Sequence, residues 1–239
     1  MFINSIIALL QFTTVLPLGR MRDFEDFARR SWLYPIAGYV VGGIAAAGVF
    51  LIGSPLLSAA VGLGLVFLIS GCNHLDGLMD LGDGLMAHGG CEKRIAALTD
   101  RQVGTGAFAL AIVVTLVAFS SLASVSSAAV ALLIAEVGAK FSMAFLSTFG
   151  KPFRIGLHAT IQSQSRPYFP LLAGLLCLPL VLLPVPLPTL LAVAAAMVLC
   201  PLILQLIASS LFGGVNGDVV GSANEITRAV ILAVLCLSG

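Results

Sequence analysis

The sequence predicts an all-α integral membrane protein: a polytopic helical bundle of about seven spans, with an N-terminal helix that is interfacial or re-entrant. Three observations carry this. Of the 239 residues, 59% are hydrophobic and only 10% charged, against roughly 25% charged in soluble domains. Mean hydropathy is +1.09. Seven apolar runs lie at roughly 32–52, 56–72, 106–122, 128–149, 168–184, 188–209 and 218–238. The connections alternate in character. Those near 53–57, 120–127 and 183–188 carry no charge, whereas those at 20–31, 73–105, 150–167 and 210–217 hold or border nearly every charge. Successive connections of a bundle emerge on opposite sides, so one membrane face is charged and the other bare. The positive-inside rule makes the charged face cytoplasmic, in the cell membrane. A single helical domain, 1–239, accounts for the whole chain.

Composition also excludes functions. A net charge of +1 gives no bulk attraction to nucleic acid, so the bilayer is the expected macroscopic partner. Cys72, Cys91, Cys177, Cys200 and Cys236 form no CxxC pair, and no disulfide framework is expected. The first residues lack a basic stretch and an A-x-A site, which argues against a signal peptide.

Residues 1–18 are apolar with Asn4 and Gln11 seven apart, the pattern of a helix with one polar line. Residues 20–30 mix both charges and suit a headgroup-facing loop, in which some arginines could meet phosphate. Eleven of the 12 Lys and Arg residues fall on or beside the charged face, Lys140 being the exception. It stands four residues after Glu136 within a span, the favourable order for an ion pair. Two readings stay open there: a self-neutralising pair, or Lys140 beside substrate phosphate.

The rest of the chain is organised around residues 74–106, which hold eight of the 23 Asp, Glu, Lys and Arg side chains. Asp76, Asp80 and Asp83 are spaced i, i+4, i+7 and share one helix face. Three carboxylates there repel one another, and a divalent cation with oxygen ligands removes the repulsion. The expectation is a Mg²⁺ site acting on phosphate. Asp76 and Asp83 are each followed by Gly, which weakens a helix but allows close approach. Asp100 is a further candidate ligand, and Arg101 a candidate phosphate clamp. Gly104, Thr105 and Gly106 open the next span, where free N–H groups favour an anion. Glu92, Lys93 and Arg94 read as an ordinary helix face. His74 is a candidate phosphate partner or proton carrier, while His88 and His158 read as surface residues. A rival zinc set, Cys72, His74, His88 and Cys91, has no standard spacing. Near the end, Asn216 stands among glycines, and Asp218 and Glu225 are again seven apart. These are either a turn with a capping Asp, or ligands added from across the bundle.

Four stretches carry a resemblance to the cobalamin synthase (adenosylcobinamide-GDP ribazoletransferase) family. Residues 10–18, LQFTTVLPL, resemble its LQFLTRxPL opening, with Val15 near a common Arg. Residues 74–85, HLDGLMDLGDGL, match its HLDGLxDxxDG hallmark. Residues 100–107, DRQVGTGA, resemble its DxxxGTxGA element, and residues 213–225 its GGxTGDxxGAxxE element, with Asn216 for Thr and Ser222 for Ala. The resemblance implies transfer of the adenosylcobinamide phosphoryl group from adenosylcobinamide-GDP to α-ribazole or its 5′-phosphate, with Mg²⁺ and release of GMP. It implies Asp76, Asp80 and Asp83 as catalytic metal ligands, with Asp100 and Asp218 completing the shell. Arg101 and Lys140 would contact phosphates. His74, Gly104, Thr105, Asn216 and Glu225 would help hold substrate. Oligomeric state, a homo-oligomer included, stays open. Two other functions are open to a membrane bundle with clustered aspartates. A CDP-alcohol phosphotransferase would need Ala-Arg after Asp76-Gly77 and a later GxxxDxxxD, both missing. A transporter would place its acidic coupling site near the midplane rather than at a span end.

Overall fold

The computed structural model describes residues 2–238, and all regular structure among them is helical. In chain order the helices are α1 (Phe2–Thr13), α2 (Phe24–Ala28), α3 (Tyr34–Val49), α4 (Pro55–Ile69), α5 (Asn73–Met86), α6 (Cys91–Leu98), α7 (Thr105–Ser124), α8 (Ala128–Phe149), α9 (Leu157–Gln164), α10 (Phe169–Cys177), α11 (Leu187–Phe212) and α12 (Gly217–Leu237). A 3₁₀ turn, Ser31–Leu33, leads into α3, and another, Leu178–Leu182, prolongs α10.

Five segments are long and apolar enough to cross a membrane: Ser31–Val49, α7, α8, α11 and α12. Two bent pairs raise the number to seven, α4 with α5 at 92° and α9 with α10 and its 3₁₀ extension at 94°. The seven runs read from hydropathy therefore each find a helix, and the chain is a multi-pass membrane protein. With 12 residues, α1 rises about 18 Å, well short of a ~30 Å hydrocarbon core. Gln11 near its end donates to the carbonyls of Gly19 (3.4 Å) and Arg20 (3.1 Å) and accepts from the Arg22 N–H (2.9 Å), pinning the loop that follows.

Local chemistry sets the helix ends. The Ser54 and Ser127 hydroxyls cap α4 and α8 by accepting from Leu57 and Val130. Between α4 and α5, Gly71 and Cys72 both take left-handed conformations, φ +63° and +58°. Two such residues in succession reverse the helical path and produce the sharp bend.

The bundle is built around α8. Its central window is 78% buried, against 28% for α7 and α11, which keep large apolar faces outward. Gly38 and Gly42 let α3 lie directly on α8: a Cβ at Gly38 would stand 2.6 Å from the Val137 Cα. Small residues four apart commonly draw membrane helices together in this way.

Beside that contact lies a neutral network of two acids and two bases. Lys140 Nζ is 3.5 Å from Glu136 Oε2 and donates to Asn224 Oδ1 at 2.7 Å. Arg228 pairs with both Glu136 and Glu225, and its guanidinium stands 5.7 Å from the Phe67 ring centre. Every charged member is at most 3% exposed. The self-neutralising reading of Glu136 and Lys140 describes this geometry, and the network is larger than that pair. Arg228 belongs in the core rather than beside the charged face, because only there can it meet both acids.

Candidate active site

The site forms where α5 meets the first turns of α12 and α7. Glycine decides the α5–α12 contact. A Cβ on Gly77 would stand 2.7 Å from the carbonyl oxygen of Asp218, closer than real Cβ contacts allow. The Ser222 hydroxyl donates to the Gly77 carbonyl at 2.8 Å, and Gly221 lies against the His74 backbone. Two helices in backbone contact bring Asp76 and Asp80 from one and Asp218 from the other into one acidic cluster, close enough for their charges to interact. Asp80 feels the charges of Asp218, Asp76 and Asp83, and Asp218 feels that of Asp76.

The countercharge is Arg154, a residue the sequence reading did not single out. Its Nη2 is 3.6 Å from Asp218 Oδ2. It rides on the loop between α8 and α9, which pairs with the loop before α12. Val215 N donates to Lys151 O at 2.8 Å, and Pro152 and Val215 form an isolated bridge. The charge run at 150–167 was the only hint of Arg154, because this pairing joins positions more than 60 residues apart. Asn216 sets the other side of Asp218. Its Oδ1 caps α12 by accepting from Val219 N (3.1 Å), while Nδ2 donates to Asp218 Oδ2 at 2.6 Å. It is 3% exposed, so it orients Asp218 and presents little surface to a ligand.

Asp83 is spent differently from Asp76 and Asp80. Its Oδ2 accepts from Gly104 N at 2.7 Å and its Oδ1 from Ala107 N at 2.9 Å. The start of α7 does hold an anion, as its glycines suggested, but that anion is the protein's own carboxylate. Gly82 and Gly106 touch backbone to backbone there, since a Cβ on Gly82 would stand 2.5 Å from Gly106 O. Asp100 accepts from Gln102 N at 3.1 Å and shares with Asp83, Gly104 and Thr105 a shallow cavity of about 370 Å³. Arg101 is exposed in the same turn. These residues gather at the far end of α5 from Asp76, which is two helical turns from Asp83.

Other expected site residues are buried. Lys140 and Glu225 sit in the core network, with their charged atoms already partnered. Phosphate could reach them only if that network opened, so the structure gives them packing rather than contact roles. His74 is 5% exposed, and its Nδ1 has no hydrogen-bond partner. His158, expected on the surface, is 4% exposed, with Nε2 bonded to Gly150 O at 2.9 Å. Arg94 is not an ordinary helix face: it donates to the carbonyls of Gly84 (3.3 Å) and Leu85 (2.7 Å), closing the C-terminus of α5. His88 is exposed, as are Cys72 and Cys91, and all five cysteines are free.

No three His, Cys, Asp or Glu side chains among the described residues form a ready metal cage, the zinc set included. The donor chemistry of this acidic cluster nonetheless suits a hard cation. Asp76, Asp80 and Asp218 offer carboxylate oxygens from two helices, and the neighbouring cation Arg154 is only one charge against three. Mg²⁺ in phosphate-handling sites is held by one or two carboxylates together with substrate phosphates, not by an all-protein shell.

Comparison with known proteins gives this arrangement a family. A profile described as Cobalamin-5-phosphate synthase matches residues 5–236. The adenosylcobinamide-GDP ribazoletransferase of Methanosarcina mazei is 37% identical, covering 95% of this chain and 89% of the relative. Those of Halorubrum lacusprofundi (34% identical, covering 97% and 96%) and Deinococcus radiodurans (37%, covering 93% and 82%) are similar too. No solved structure matches. The cluster of Asp76, Asp80 and Asp218 thus lies in a chain that belongs to the cobalamin-5-phosphate synthase family of transferases.

Proposed function

We propose that this protein transfers the adenosylcobinamide phosphoryl group of adenosylcobinamide-GDP to the 3′-hydroxyl of α-ribazole or its 5′-phosphate. The new bond joins that oxygen to the cobinamide-linked phosphorus. The bond from this phosphorus to the bridging oxygen breaks, GMP leaves with the bond's electrons, and the hydroxyl proton passes to a base. The observation that carries the reading is the α5–α12 contact, which sets Asp76 and Asp80 against Asp218 in a family member. One carboxylate of this trio would serve as the base. Arg154 can leave Asp218 for the diphosphate oxygens, where a guanidinium offsets charge through a planar fork. Asp76, Asp80 and Asp218 would hold Mg²⁺, which when bound offsets diphosphate charge and polarises the phosphoryl oxygens. We place Arg101, Asp100 and Asp83 at the margin of the site, with Asp83 fixing α7. We further infer that the charged face is cytoplasmic and that the membrane is the cell membrane, from the loop charges.

The test is GMP release from adenosylcobinamide-GDP with α-ribazole, before and after chelation, by purified protein. Release should require Mg²⁺, and Asp80→Asn should abolish it while the protein still inserts and purifies. Metal-independent turnover, or near-normal turnover by Asp80→Asn, would remove the assignment. Solute flux into sealed vesicles without GMP release would favour a transporter instead.

A further inference from the structure

On the other side of the α5–α12 crossing lies a cavity of about 450 Å³, within the ~300–1,000 Å³ range of small-molecule sites. Asn73 and His74 of α5 and Gly217 and Gly221 of α12 form its inner wall. These residues lie within one helical turn of Asp76 and Asp218, which puts the cavity next to the acidic cluster. The outer wall is aromatic. Phe12, Phe24 and Tyr34 line it and, through Phe27, form one cluster with ring centres 5.0–5.9 Å apart. At the mouth stand Met21 and Arg22, on the loop pinned by Gln11. Among the described residues of the lining, Arg22 is the only Lys, Arg, Asp or Glu.

We propose that this cavity binds the acceptor nucleoside, with its flat base against Phe12 and Phe24, which Tyr34 backs from the core, and its ribose toward Asn73 and Gly217. A 5′-phosphate, when present, meets Arg22. The inference rests on the acceptor proposed above. The lining favours a benzimidazole-type base over guanine, the other base in the reaction. Aromatic rings hold any flat base by stacking. Guanine also carries a full edge of donors and acceptors, which a mainly apolar wall leaves unpaired at a cost.

Equilibrium dialysis of α-ribazole against purified protein, without donor or metal, tests the cavity independently of turnover. Phe24→Ala should weaken binding about tenfold, the size of one lost base–aromatic contact. Met21→Trp, at a position 74% exposed, should obstruct the mouth and weaken it comparably while sparing the fold. Arg22→Ala should weaken α-ribazole 5′-phosphate about tenfold, one lost charge-assisted contact, and leave α-ribazole within about twofold. Donor KM should hardly move in any of the three. Unchanged α-ribazole binding in both Phe24→Ala and Met21→Trp overturns the proposal, as does displacement of bound α-ribazole by GMP. Absent GMP release by the wild-type protein would instead remove the proposed reaction, and dialysis would still decide the cavity.

Discussion

Replacing Gly77 by Ala tests whether backbone contact sets the catalytic geometry. The added methyl would stand 2.7 Å from Asp218 O, whereas ordinary contact begins near 3.4 Å, so α5 and α12 must separate by about 0.7 Å. The atom met is backbone, so no side-chain rotation relieves the clash. Ala is the better helix former by ~1 kcal/mol, and overpacking costs ~1–3 kcal/mol. Net stability should therefore fall by no more than about 2 kcal/mol. The separation acts directly on Asp76 and Asp80 against Asp218. A displacement of this order at a reacting centre costs up to ~100-fold in rate. The assay is GMP release with Mg²⁺, alongside thermal unfolding in detergent. The control is Gly64→Ala on α4, where a Cβ meets nothing within 4 Å. Turnover within threefold of wild type in Gly77→Ala would refute the argument, as would an equal loss in the control.

Arg154→Ala should raise the KM for adenosylcobinamide-GDP about tenfold or more, a lost charge-assisted contact being worth ~1.5–3 kcal/mol; steady-state kinetics with varied donor check it, with Arg154→Lys restoring part of the loss. Lys140→Met leaves Glu136 with one cation fewer in the core and should destabilise the protein by ~3–5 kcal/mol, read as a large fall in unfolding temperature. Pairing it with Glu136→Gln should recover part of that fall, although Arg228 then loses a partner. Asp83→Ala frees the N–H groups of Gly104 and Ala107 and should cost ~1–2 kcal/mol of stability, together with an activity loss smaller than that of Asp80→Asn.

Composition and loop charge determined the fold class, because the bilayer imposes its thickness and polarity on every span whatever the tertiary arrangement. Helical spacing and neighbouring glycines marked Asp76, Asp80 and Asp83, with Asp100 and Asp218 as additions. They could not assign each carboxylate a task. Asp80 and Asp83 look alike in sequence, yet one faces Asp218 and the other caps α7, because only packing decides which N–H groups lie opposite. Likewise Lys140 was legible as a charge at membrane depth with Glu136 one turn away, but Asn224 and Arg228 join that pair only when α8 and α12 pack. Arg154 and the aromatic cavity were beyond reach for a related reason: both are made by segments far apart in the chain. Periodicity records what a helix presents along its own axis, and the contacts between helices decide what each presented group meets.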